Sequence, residues 1–200
     1  DTVRIDHFLG IVRYWSIPAS DDTAAGGQWC KGPGQALFDV LEAELGQIPL
    51  VVEDLGTIDQ ETRDLQIELE FPGMRVLQFA FGSGPNNEHL SQNHPEIAIA
   101  YSSTHDSDTV LGWWQTLPTE LQSEVRQSIV SEHEPLHHQL IDVALQSDAI
   151  WGIAPLQDWL GLGSEARFNT PGTSTGNWGW RVTNEQLAHL NPRTVRGRLQ

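Results

Sequence analysis

Ile48-Pro49-Leu50-Val51-Val52-Glu53-Asp54-Leu55-Gly56, a segment from Thr57 to Leu69, and then Met74-Arg75-Val76-Leu77-Gln78-Phe79 together decide the fold. The first piece is a short β-branched run that ends on an acid and breaks at a glycine. Thr57 opens a stretch in which Asp59 and Glu61 suit a helix amino terminus, where unpaired N–H groups favour negative charge. Phe71-Pro72-Gly73 reads as a turn, and the last piece is a second β-branched run. Strand, helix and strand in that order predict a βαβ unit, which needs parallel pairing.

The same alternation extends in both directions. Val3-Arg4-Ile5-Asp6 precedes the unit as a further strand run, and Ile97-Ala98-Ile99-Ala100-Tyr101-Ser102 and Ile150-Trp151-Gly152-Ile153-Ala154-Pro155 follow it. Ala36, Leu37, Val40, Leu41 and Leu45 lay one apolar face along a helix over Gly34 to Leu45. Helices are also predicted from Thr119 to Val130 and from His137 to Leu145. The expectation is an α/β fold with about five strands, roughly strands 4 to 8 of a (β/α)8 TIM barrel with their helices. A complete open parallel sheet is the competing arrangement. Because the sequence opens inside its first strand run, we expect residues 1–200 to be the carboxyl-terminal part of such a barrel, without its amino-terminal strands and inserted subdomains.

Composition narrows the function classes. Twenty-seven acidic against 11 basic side chains leave a net charge of −16, a field that repels phosphate backbones and argues against nucleic acid as partner. No apolar stretch reaches the length of a membrane span, and none at the start reads as a secretory leader. Cys30 is the only cysteine, which excludes an intramolecular disulfide and a thiolate zinc site. It fits a reduced, cytoplasmic setting. Its Gly-Gly-Gln-Trp-Cys-Lys-Gly-Pro-Gly surroundings read as a loop.

The acids at the strand ends carry the chemical argument. Asp6 ends the first run, Glu53 the second, and Asp106 follows the fourth within Ser103-Thr104-His105-Asp106. Carboxyl ends of parallel strands form the mouth in which such folds place their chemistry. A strand-end carboxylate in apolar surroundings is also poorly solvated, so its protonation can be tuned. Retaining cleavage of a glycosidic bond needs a nucleophilic carboxylate and an acid/base carboxyl about 5 Å apart. Arg4, two residues before Asp6, shares its strand face and would orient it. Each acid alone is as compatible with a helix cap or a turn; their succession, one beside Arg4 and one beside His105, points to a site.

Val3-Arg4-Ile5-Asp6-His7-Phe8, Val52-Glu53-Asp54-Leu55-Gly56 and Ser103-Thr104-His105-Asp106-Ser107-Asp108-Thr109 resemble the core motifs of the amylomaltase (4-α-glucanotransferase, disproportionating enzyme) family of the α-amylase clan. Trp29-Cys30-Lys31-Gly32-Pro33-Gly34, Phe71 to Phe81, Gly112-Trp113-Trp114, Pro155-Leu156-Gln157-Asp158, Gly163 to Asn169 and Gly176-Asn177-Trp178-Gly179-Trp180-Arg181 match in order. The resemblance implies an enzyme that transfers α-1,4-glucan segments between maltooligosaccharides or starch- or glycogen-type glucans, with no cofactor and no metal. It implies Asp6 as nucleophile, Glu53 as general acid/base and Asp106 as transition-state stabiliser. Arg4, His105 and Asn169 would contact the sugar. Family members are far longer, so the isolated chain is expected to be inactive. An α-glucan hydrolase of the same clan and a non-catalytic glucan-binding remnant are the alternatives.

Other features read more plainly. His133 and His137 have an i,i+4 spacing, but Pro135 lies between them and no acid or Cys stands at ligand spacing, so His133, His137 and His138 read as a solvated helix end. At least one Trp of each of the pairs Trp113/Trp114 and Trp178/Trp180 is expected in the core, although pyranose stacking is open to them. Gly82-Ser83-Gly84 lacks the spacing and the lysine of a phosphate loop. Asn169 to Asn177 reads as an ordered loop.

Overall fold

The computed structural model describes residues 1–129 and 134–198, so His133 and Val130 lie outside the described residues. The fold is mixed α/β, in two compact units, residues 1–74 and 75–200.

The first unit opens with β1 (Val3–Ile5) and the one-turn helix α1 (Leu9–Val12). Then come β2 (Arg13–Ser16) and β3 (Gln28–Lys31), which pair antiparallel and place Trp15 opposite Trp29. This hairpin replaces the loop expected around Cys30. The glycines on either side of Gln28 to Lys31 hid a four-residue strand whose partner lies a dozen residues upstream. The Trp15 and Trp29 rings meet edge to face at 5.3 Å, and the Arg13 guanidinium lies over Trp29 at 4.5 Å. Such cross-strand pairs are the unit of hairpin stability.

Helix α2 (Gln35–Leu45) follows the expected apolar stripe and ends at Gly46, whose φ of 71° lets the chain leave the helix. β4 (Leu50–Val52) pairs parallel with β1, Ile5 opposite Val52. In α3 (Gln60–Glu68) the Asp59 carboxylate accepts the Thr62 backbone N–H at 2.8 Å, a cap of the predicted kind. Phe8, Phe38 and Val52 are buried, with Leu37, Leu41, Leu65 and Phe71 packed against them. The edge-to-face pair Phe38–Phe71, 5.1 Å between centroids, adds about 1 kcal/mol beyond its buried area.

β5 (Gly73–Val76), β6 (Ala98–Tyr101) and β7 (Trp151–Ile153) form a three-stranded sheet in that order, and β6 and β7 are parallel. All five predicted strand runs therefore contain strands. Helices α4 (Val110–Thr116), α5 (Thr119–Gln127) and α6 (Leu136–Leu145) supply the second unit's core: Val110, Val125 and Leu140, joined by Leu77 and Ala80. Trp113 and Trp114 pack against that cluster as expected. After β7 come α7 (Leu156–Trp159), α8 (Asn184–His189) and α9 (Pro192–Arg198). Thr183 and Gln186 form a capping box on α8, and Arg198 ties α9 to Asp142 and Glu134.

Residues 169–177 are an ordered loop. The Asn177 side chain accepts the Thr170 N–H at 3.0 Å and donates to the Thr173 carbonyl at 3.1 Å. His137 and His138 are not a solvated helix end. They are half-buried and line a cavity of about 200 Å³ with Trp159 and His189. Burial, then the neighbouring His138 and Arg198 charges, push the His137 imidazole down to about 4.

Candidate active site

In the first unit Asp6 and Glu53 each follow directly on a strand, and those strands, β1 and β4, are paired neighbours. The chain beyond Asp6 turns at once: His7 has φ 50°, a conformation rare for a residue with a side chain. The turn aims successive amides at one residue. The His7 N–H donates to Glu53 Oε2 at 2.7 Å, and the Phe8 N–H donates to the Glu53 carbonyl at 2.9 Å. The Leu55 N–H donates to Glu53 Oε1 at 2.8 Å, so both carboxylate oxygens accept from backbone. Fully buried Phe8 anchors the turn in the core.

Arg4 pairs with Asp6 at 2.8 Å, as the shared strand face predicts. The apolar surroundings expected for the strand-end acids are absent at Asp6, whose side chain is 73% exposed. Its orientation comes from the ion pair and not from burial.

In the second unit Asp106 stands on the loop between Tyr101, where β6 ends, and Val110, where α4 begins. The Thr104 hydroxyl accepts the Asp106 and Ser107 amides at 3.3 and 3.2 Å, closing a tight turn. Asn169 Nδ2 donates to Asp106 Oδ1 at 2.6 Å, and His105 Nε2 lies 3.3 Å from Oδ2. Arg167 donates through its guanidinium to the Asp106 carbonyl at 2.8 Å and through Nε to the Asn169 carbonyl at 2.7 Å. Asp106, His105 and Asn169 are thus together. Trp178, exposed and at φ 61°, lies 5.7 Å from the His105 ring, while Trp180 is half-buried edge to face on Phe168.

A family model described as 4-alpha-glucanotransferase matches residues 1–187. The chain belongs to the 4-alpha-glucanotransferase family. It is 45% identical over 183 residues to the chloroplastic/amyloplastic 4-alpha-glucanotransferase of Solanum tuberosum, covering 91% of the chain and 32% of that relative. It is 45% identical over 190 residues to the 4-alpha-glucanotransferase of Synechocystis sp., covering 94% and 38%. The amylomaltase of Streptococcus agalactiae, solved in complex with acarbose, superposes with a TM-score of 0.90 at 32% identity over 98% of this chain and 39% of that one. The chain therefore spans about a third of the length of these 4-alpha-glucanotransferases.

Within this family frame, the residues that sequence reasoning missed are the supports. Asp54, buried beside Glu53, accepts the Met74 N–H at 2.6 Å and the Gln66 amide at 3.3 Å. Asp108 accepts from the Ser164 hydroxyl at 2.6 Å and from the Thr109 N–H at 2.8 Å. Asp158, 1% exposed, accepts from Ser102, Ser103 and Val110. Burial raises its carboxyl above the usual range, against those donations. The only signal was their presence inside matched motifs. Among the described residues no group of three or more His, Cys, Asp or Glu is placed to hold a metal, and no helix is long and apolar enough to cross a membrane.

Proposed function

We propose that the chain carries the reacting carboxylates of a retaining 4-alpha-glucanotransferase, with maltooligosaccharides and starch- or glycogen-type glucans as donors and acceptors. The observation that carries this reading is the exit of Asp6 and Glu53 from adjacent parallel strands in register. Neighbouring strands lie about 4.8 Å apart, close to the ~5 Å between carboxyls that double displacement requires.

In this reading an Asp6 oxygen attacks the anomeric carbon while Glu53 gives its proton to the departing glycosidic oxygen. The glucosyl ester on Asp6 is then attacked by the 4-hydroxyl of an acceptor glucan, whose proton returns to Glu53. Arg4 keeps Asp6 aimed. Asp106 stabilises the positively charged transition state, and Arg4, His105 and Asn169 contact the sugar. The two backbone donors on Glu53 suit the carboxylate left after its proton is given away.

We further infer that residues 1–200 correspond to the carboxyl-terminal part of a (β/α)8 barrel, strands 4 to 8, acting in the cytoplasm. Support comes from the sheet edges. β7 is an edge strand with Trp151 47% and Ile153 42% exposed, and Val3 on β1 is 53% exposed. Such edges call for a covering partner. The chain alone would then be inactive.

Maltotriose tests the reading. The chain is assayed alone and after extension at its amino end with the corresponding part of the Streptococcus agalactiae amylomaltase. A ladder of longer and shorter glucans from the extended protein only is the expected result. Steady shortening would make it a hydrolase. Glucan affinity without turnover, unchanged by Asp6→Asn, would make it a binding remnant.

A further inference from the structure

Asp158 is a carboxylate that the chemistry above does not use, and it is among the most deeply buried charged groups of its unit. Its Oδ2 accepts from the Ser102 hydroxyl at 2.6 Å and the Ser103 hydroxyl at 2.5 Å, and its Oδ1 accepts the Val110 backbone N–H at 2.8 Å. Ser102 and Ser103 are the last residues before Thr104-His105-Asp106. Val110 is the first residue after Ser107-Asp108-Thr109. One carboxylate, delivered by α7 from beyond the next strand, therefore grips both ends of the loop that presents Asp106.

The arrangement is costly unless it does something. A carboxylate with almost no access to water loses hydration that three donors only partly replace. Plain helix capping at Val110 would need one oxygen, and a threonine cap already serves α4 through the Thr109 hydroxyl and the Gly112 N–H at 3.1 Å. The second oxygen is spent on the buried hydroxyls of two adjacent serines that lead directly into the loop.

We propose that Asp158 is a positioning residue for Asp106, fixing the span of the 104–109 loop and hence where its carboxylate meets the sugar. This rests on the reading that Asp106 acts on the glucan. Loss of a group that only positions another lowers kcat by misplacing the partner, and leaves substrate affinity nearly intact.

The test uses the extended, active protein with Asp158→Asn, the double variant Ser102→Ala/Ser103→Ala, Asp106→Asn, and Asp158→Asn combined with Asp106→Asn. The expected result is a ten- to hundredfold fall in kcat for maltotriose transfer with Asp158→Asn, KM within about threefold. The serine variant, with Asp158 intact, should fall in the same direction. Added to Asp106→Asn, Asp158→Asn should cost little more, because its effect passes through the missing carboxylate.

Wild-type kcat in folded Asp158→Asn, or an equal loss with and without Asp106→Asn, would overturn the inference. If Asp158→Asn does not fold, the serine variant decides: wild-type kcat there also overturns it. Should Asp106→Asn itself keep full activity, the catalytic assignment of Asp106 fails and not merely its support.

Discussion

Glu53 is held by the backbone of its neighbours, whereas Asp106 is held by side chains, two of which arrive from more than fifty residues away. The Glu53 oxygens accept amides of His7 and Leu55, and no side-chain substitution at those positions removes an N–H unless it is proline. The Asp106 loop depends on Asn169, Arg167, Asp158 and Ser164, each a side chain that one substitution deletes. The first arrangement is as rigid as the strand pairing beneath it. The second can be tuned residue by residue. That division fits the proposed roles: Glu53 must transfer a proton along one line, while Asp106 must match the shape of a distorted sugar.

The largest effect should separate the two sides chemically. In the extended protein Asp6→Asn removes the nucleophile, and transfer should fall on the order of 10⁴-fold or more. Asp106→Asn keeps the shape and removes a charge, which should cost on the order of 10²- to 10³-fold. Initial rates on maltotriose read both. Equal losses would mean that Asp106 does more than stabilise charge, and an active Asp6→Asn would exclude the covalent mechanism.

The same division explains what could be read from the sequence. The five strand runs and the Asp59 cap are local patterns, set by β-branched alternation and by a side chain reaching three residues ahead, so they were legible. The strand-end positions of Asp6 and Glu53 were legible for the same reason. Gln28 to Lys31 was not, because four residues between glycines become a strand only when Arg13 to Ser16 pairs with them. Asp158 was not either. An acid on a one-turn helix gives no sign that Ser102 and Ser103, more than fifty residues earlier, will close on it. The exposure of Asp6 is not legible in the sequence, since strand-end position says which way a side chain leaves and not what covers it.

Two glycines sharpen the comparison at the level of packing. A Cβ on Gly73 would drive into the Asp54 carboxylate and the Gln66 amide, both engaged in the buried support of the Glu53 strand. A Cβ on Gly112 would meet Asp108 and the Ser164 hydroxyl. Each Gly→Ala change overpacks its site and should cost about 1–3 kcal/mol in urea unfolding. Gly73→Ala should be the worse, because Asp54 is buried and has little room to retreat, whereas Asp108 is only half-buried and the exposed Ser164 hydroxyl can rotate away. A larger loss at Gly112 would mean that the side-chain network is the stiffer of the two.

Acid should loosen the two units in sequence and with the smallest effect. In the second unit burial lowers His94 and His138, and His137 is lowered to about 4. A histidine with a lowered folded pKa leaves the unfolded chain as the better proton binder, so its contribution is complete above pH 6.5 and declines below it, for His137 down to about 4. Asp158 works the other way: its raised carboxyl takes up a proton first in the folded state, offsetting part of that loss in the acid range. In the first unit Asp59 is lowered by hydrogen bonding from Thr62, helped by Arg13. Its contribution holds above 3.8 and declines only below it. Amide hydrogen exchange followed from pH 7.5 to 4.5, corrected for the intrinsic rate, should therefore lose protection in residues 134–198 while residues 1–74 keep theirs. His137→Gln should flatten that decline, since Gln carries no titrating ring beside Gly161 and α7. Parallel loss in both regions, with or without the ring, would show that the side-chain-held unit has no acid sensitivity of its own.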